Sequence, residues 1–191
     1  MSHEVEMING QAQMAYAGEV PWHGLGTAVS YDLTPQQIQA KAGLDWTVDK
    51  EVMVTGSGAT VEGKKALVRS SDKKVLDVVG DNWNPVQNEE AFNFFSEYVL
   101  AGDMEMHTAG SLKDGQMVWA LAKVKDSFDL FGGDQVESYL LFSNPHQYGK
   151  SIDVRFTPIR VVCNNTLSLS LEMSSANATK MSHRKVFDPS E

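Results

Sequence analysis

The densest run of groups with binding chemistry lies late in the chain, between His146 and Asn164. It reads His146-Gln147-Tyr148-Gly149-Lys150, continues through Ser151 to Thr157, and reaches Arg160 and Asn164 after Pro158. On a strand, Ile152, Val154 and Phe156 point to one face, while Asp153, Arg155 and Thr157 share the other. Pro158 cannot donate to a ladder, so it marks an edge or a bulge after which the phase resets. Cations spaced along a strand beside an aromatic ring suit a single nucleic-acid strand, with charges for the phosphates and a flat face for the bases. On this reading Lys150, Arg155 and Arg160 contact phosphate, Tyr148 stacks, and Asn164 adds a polar contact. The alternative is a solvated strand face on which Arg155 pairs with acids such as Asp153, with Asn164-Asn165 forming a turn.

The charge balance decides how such a strip must work. The 191 residues carry a formal net charge of −9. Residues 1–147 hold 10 Lys/Arg against 21 Asp/Glu, whereas residues 148–191 hold six against four. The field of the whole chain repels nucleic acid and anionic membranes, so binding requires a local basic surface. Aligning many weak strips in a homo-oligomer would raise affinity through effective concentration.

Other chemistry is poorly supported. Trp22-His23-Gly24-Leu25-Gly26 is glycine-rich but lacks the preceding strand, the following helix and the Gly-Lys-Ser/Thr of a phosphate loop. It reads as a structural loop with Trp22 packed down, or as a ligand or partner contact through Trp22 and His23. His3, His23, His107, His146 and His183 show no metal-ligand spacing, and no second cysteine accompanies Cys163. No metal, cofactor or catalytic residue is expected. An enzyme with a dispersed site around His23 and His146 is the least favoured reading. Cys163 follows Val161-Val162 and reads as a small core residue.

The elements that must position these groups are legible in part. Residues 1–20 read as an extended arm or loose start. Thr34 caps and Pro35 opens a short helix that Gly43 ends. Trp46, Val48, Val52 and Val54 alternate with strand spacing. A hairpin joins 66–69 to 75–79 through Ser71-Asp72. Asn88 caps a second helix whose Phe92, Phe95 and Val99 form one buried stripe, and Gly102 ends it. A second hairpin, 104–112 with 116–124, turns at Lys113-Asp114-Gly115. A strand over 136–142 breaks at Asn144-Pro145, and a last extended run covers 151–171, interrupted at Pro158. The order implies an α+β fold, an antiparallel sheet built from hairpins with two short helices packed on one face. Residues 1–172 read as a single domain with an N-terminal arm, and 173–191 as a polar, weakly basic tail.

Three stretches taken together carry a resemblance. They are Met14-Ala15-Tyr16 through Pro21-Trp22-His23-Gly24-Leu25-Gly26-Thr27, then Val79-Gly80-Asp81 with Asn84-Pro85-Val86-Gln87-Asn88, and finally Arg155-Phe156-Thr157-Pro158-Ile159-Arg160-Val161-Val162-Cys163-Asn164-Asn165-Thr166-Leu167. In this order the set resembles a phage/plasmid-like protein family catalogued as a domain of unknown function. The resemblance implies a mobile-element setting. There, small α+β proteins such as the single-strand annealing proteins serve DNA recombination, an analogy at the level of fold. The expected function is therefore single-stranded DNA binding and annealing as a homo-oligomer. The alternative is an interaction protein that engages a host protein. The acidic start of the chain is unlike a secretory signal, and no apolar run is long enough to span a bilayer, so a cytoplasmic location is expected.

Overall fold

A computed structural model describes residues 3–125, 128–129, 135–173 and 178–183. Its frame is a seven-stranded sheet and a three-stranded sheet that share one apolar core. The strands are β1 (Met14–Ala17), β2 (Thr27–Val29), β3 (Val48–Val54), β4 (Thr60–Arg69), β5 (Val75–Gly80), β6 (Met104–Leu112), β7 (Met117–Val124), β8 (Tyr139–Pro145), β9 (Ile152–Thr157) and β10 (Ala178–Met181). The large sheet runs β10-β9-β8-β7-β6-β1-β2, antiparallel except for the β1–β2 pair. The small sheet is the antiparallel meander β3-β4-β5. Residues 7–8 and 11–12 form a small ladder of their own.

Helix α1 (Pro35–Lys41) starts as expected: the Thr34 side chain accepts from the Gln37 amide, and the Gln37 side chain accepts from the Thr34 amide. Helix α2 (Asn88–Ala101) ends at Gly102 and buries Phe92, Phe95 and Val99. Its cap is Gln87 rather than Asn88. The Gln87 backbone amide donates to Glu90, and its side chain pairs with both backbone groups of Val48, tying the helix to β3. Asn88 is buried instead, donating to Leu44 O and Trp46 O. Both helices pack on one face of the large sheet, with Ala109, Ala120, Leu140, Phe142 and Ile152 beneath them.

The opposite face carries what the sequence reading missed. Residues 164–171 are not extended; they form helix α3 (Asn164–Glu172). Leucines at 167, 169 and 171 alternate like a strand, but only Leu167 is buried among Trp119, Leu121, Tyr139 and Leu141, while Leu169 stays exposed. The Thr166 hydroxyl decides the start. It receives the Val162 and Cys163 amides and donates to Cys163 O, locking the first turn. Cys163 is buried in this second core, as expected.

Other corrections follow from the same layering. The N-terminal arm is no loose start: β1 is buried throughout and lies inside the sheet between β6 and β2. The strand expected from Trp46 to Val54 forms from Val48, and Val52 and Val54 are exposed on it because β3 and β4 extend past the core beyond Val48. Residues 178–181 of the tail add the edge strand β10 to β9. The strand expected over 136–142 runs instead to Pro145, pairing there with Met117 at the strand end. The β6–β7 hairpin turns as expected at Lys113, Asp114 and Gly115, with all three at positive φ.

Candidate nucleic-acid interface

The alternation along β9 puts Asp153, Arg155 and Thr157 on one face, as the spacing implies, but that face lies under α3. Arg155 is 3% exposed. Its Nε and Nη2 donate to the two oxygens of Asp153 at 2.5 and 2.6 Å. Its Nη1 donates to Ser170 O, Leu171 O and Met173 O at 3.1, 3.1 and 3.2 Å. The guanidinium thus satisfies carbonyls at the C-terminal end of α3, where the helix dipole also favours a cation. Thr157 Oγ1 lies 3.2 Å from Ser170 Oγ in the same layer. Arg155 is a helix anchor, and the expectation that it meets phosphate is corrected: strand alternation gives the side of the sheet, not what covers it.

Arg160 is also turned away from the strip. Its Nη2 donates to Ala17 O at 3.2 Å and Glu19 O at 2.6 Å, fastening the segment after β9 to the end of β1. Tyr148 is 62% exposed, yet it borders a separate polar cavity with Asp81, Asn82, Trp83 and Asn84. Its backbone amide donates to Asp77. Neither residue joins Lys150.

Lys150 and Asn164 do come together. They border a cavity of about 340 Å³ between β9, the N-terminal half of α3 and the β6–β7 turn. Two further lysines reach the same cavity: Lys113 from the turn and Lys180 from β10. Lys113, Lys150 and Lys180 are exposed, and none has an ion-pair partner among the described residues. The acid at the cavity base, Asp153, is already held by Arg155. The cavity therefore presents three uncompensated ammonium groups on a neutralised floor.

Lys113 also borders a second cavity, about 530 Å³, lined by His3, Glu4, Val5, Met7, Leu25 and Asp114. Asp114 is engaged by Lys74 at 3.0 Å. Beside this cavity stands Trp22, 67% exposed and edge-on to His3 at 4.4 Å between ring centroids. The expectation that Trp22 packs down is corrected. His23 is what holds the loop: one ring nitrogen (Nδ1) accepts from the Leu25 amide and the other (Nε2) lies 2.9 Å from Val162 O. Since Nδ1 accepts, it is Nε2 that donates to that carbonyl. Asn164 ties the two cavities together, its amide donating to His3 O at 3.0 Å. An aromatic plate and a lysine cluster thus adjoin across Lys113.

The dispersed site around His23 and His146 does not assemble. His146 is fully buried between the two sheets, beside the Trp46 ring and 2.9 Å from Asn88 Oδ1. Because the Asn88 amide nitrogen is spent on two carbonyls, its oxygen faces His146, whose Nε2 carries the proton. Burial, then the charges of His183 and Arg69, lower the His146 pKa to about 3, so it stays neutral. Among the described residues, no group of three or more His, Cys, Asp or Glu side chains is arranged to hold a metal, and no helix is long and apolar enough to cross a membrane.

Lys113 and Lys180 were missed because they lie far apart in sequence and in different elements. The hairpin turn at Lys113 was legible, but nothing in the spacing aims it at Lys150.

The architecture defines the class: an α+β protein on a mostly antiparallel sheet, with a lysine-lined cavity under its third helix. A family model described as a domain of unknown function (DUF932) matches residues 75–191, more than half of the chain, and the chain belongs to that family. The match contains the Val79–Asn88 and Arg155–Leu167 stretches, while residues 14–27 precede it. No curated protein and no solved structure matches the chain.

Proposed function

We propose that this chain binds single-stranded DNA along the groove formed by the two adjoining cavities, and that it serves phage or plasmid DNA annealing in the host cytosol as a homo-oligomer. The supporting observation is the convergence of Lys113, Lys150 and Lys180 on one cavity whose only lining carboxylate is already paired. Lysines that share one cavity meet backbone phosphates as point charges, and the exposed Trp22 beside the adjoining cavity offers a stack for a base. This combination favours a single strand over a duplex, whose bases are already stacked on one another. Three phosphate contacts bind weakly against a net charge of −9, so a useful affinity calls for several subunits on one strand.

Fluorescence anisotropy with a short labelled oligonucleotide tests the reading. Lys150→Glu and Lys180→Glu are expected to abolish binding, whereas Lys64→Glu, an exposed lysine on the other sheet, leaves it unchanged. Equal loss in all three variants would point to nonspecific charge and sink the assignment of the groove.

A further inference from the structure

A second cluster of polar groups lies on the same face of the large sheet, away from the lysines. The β6–β7 ladder slips by one residue between Met106 and Thr108, so His107 is the extra residue of a β-bulge. The bulge turns His107 and Thr108 to the same side, because Thr108 bonds Val161 O while the His107 ring contacts Tyr139, and both neighbours belong to the core under α3. Thr108 is consumed by structure, donating to Val161 O and accepting from the Trp119 ring nitrogen.

His107 is not consumed. It is 6% exposed, and its Nδ1 is buried without a hydrogen-bond partner. Across the ladder Tyr16 pairs with Thr108, and just beyond it Ala17 O and Glu19 O hold Nη2 of Arg160, whose buried Nε is left unpartnered. Each unmet buried group is costly, and native interiors leave few of them. Here two stand in one neighbourhood, one of them on a guanidinium. Tyr31, half-exposed, lies edge-on to His107 at 6.2 Å, and its hydroxyl reaches Gly18, where a Cβ would come within 2.1 Å of it. Gly18 sits between the two residues whose carbonyls hold Arg160, so ring, loop and guanidinium form one wall. Glu137, next along from the Tyr139 that the His107 ring contacts, is already engaged, accepting from both the Tyr139 hydroxyl and Lys123. Burial and the Arg160 charge lower the His107 pKa to about 4, which leaves a neutral ring at physiological pH.

We propose that His107 and Arg160 bind a small oxyanion, a phosphate or carboxylate group, beneath Tyr31. The Arg160 guanidinium supplies charge and its Nε–H, and the neutral His107 ring supplies one further N–H from Nδ1. The site is independent of the lysine groove.

Nitrogen-15 NMR of the histidine rings in the full chain, at constant ionic strength, tests this with inorganic phosphate and with acetate. The expected result is a saturable shift of the His107 ring nitrogens, with the proton residing on Nδ1 in the bound form. A response to phosphate alone assigns a phosphate ligand, and a response to acetate assigns a carboxylate. Arg160→Lys keeps the charge but lacks the Nε–H, and is expected to weaken binding about tenfold or more. Lys150→Glu is expected to leave it unchanged. His107 resonances unmoved by either anion, or moving equally in Arg160→Lys, would overturn the proposal in favour of water at both atoms, with no bearing on the groove.

Discussion

Replacing Arg155 by Met separates an anchor from a ligand contact. Met has nearly the length of Arg but no charge, so the substitution removes the ion-pair partner that the buried Asp153 has among the described residues. Breaking a buried pair from one side typically costs about 3–5 kcal/mol. Of the three carbonyls that lose their donor, those of Leu171 and Met173 lie at the helix end and can turn to water, while that of the buried Ser170 adds to the cost. For a chain of this size about 2–4 °C of Tm accompanies each kcal/mol, which predicts a fall of roughly 6–20 °C. Circular dichroism melts read it directly. The paired change Asp153→Leu with Arg155→Met removes both charges and should recover much of the loss, since apolar replacements of buried pairs are often close to neutral. Below its Tm the double variant, which leaves no unpaired carboxylate in the lysine cavity, should bind DNA like the wild type. A Tm lowered by less than about 2 °C, or DNA affinity lost from a chain of unchanged Tm, would refute the placement of Arg155 under α3.

Three further outcomes follow. Folded-state pKa values of about 3 for His146 and about 4 for His107 lie below the ordinary 6.5. The unfolded chain therefore takes up protons first. Stability is whole above pH 6.5 and declines as pH falls toward 4, by about 1.4 kcal/mol per unit for each histidine. Urea denaturation at stepped pH should give that slope, and His146→Gln should flatten it; an unchanged slope would contradict the neutral, buried ring. Gly110→Ala would set a Cβ within 2.3 Å of the Trp119 ring and 3.0 Å of Gln13 O. It should cost about 1–3 kcal/mol by urea denaturation, and no loss would mean that Trp119 packs elsewhere. Trp22→Ala removes an exposed ring, so the melt should stay within a degree or two of the wild type, while single-strand affinity drops by about 1–3 kcal/mol. A large Tm change would mark Trp22 as structural.

What the sequence discloses here follows from how local each cause is. Helix α1 depends on Thr34, Pro35 and Gln37, all within four residues, and the β6–β7 turn on three adjacent ones, so both were legible. The Phe92-Phe95-Val99 stripe likewise stands on its own period. The cap of α2 moved by one residue because Gln87 has a distant partner in Val48, which no local rule supplies. Helix α3 was hidden because Leu167, Leu169 and Leu171 alternate like a strand, and only the sheet beneath decides which of them is buried. Arg155 was assigned to the correct side of β9, but its fate depended on that same hidden helix. Of the expected contacts, Lys150 and Asn164 meet in one cavity because β9 leads into α3. Arg160 and Tyr148 diverge because the chain turns at Pro158 and at Gly149. Lys113 and Lys180 join from 37 and 30 residues away, a distance at which spacing carries no information.

Contact between the three lysines of the groove and the phosphates of a single strand is read from the salt dependence of oligonucleotide affinity. Three contacts predict a slope of log K against log salt of about −2, since each phosphate engaged on a single strand contributes about −0.7. The slope should become shallower by about 0.7 in each of Lys113→Gln, Lys150→Gln and Lys180→Gln. A slope near zero, or one that none of the three substitutions changes, would contradict it.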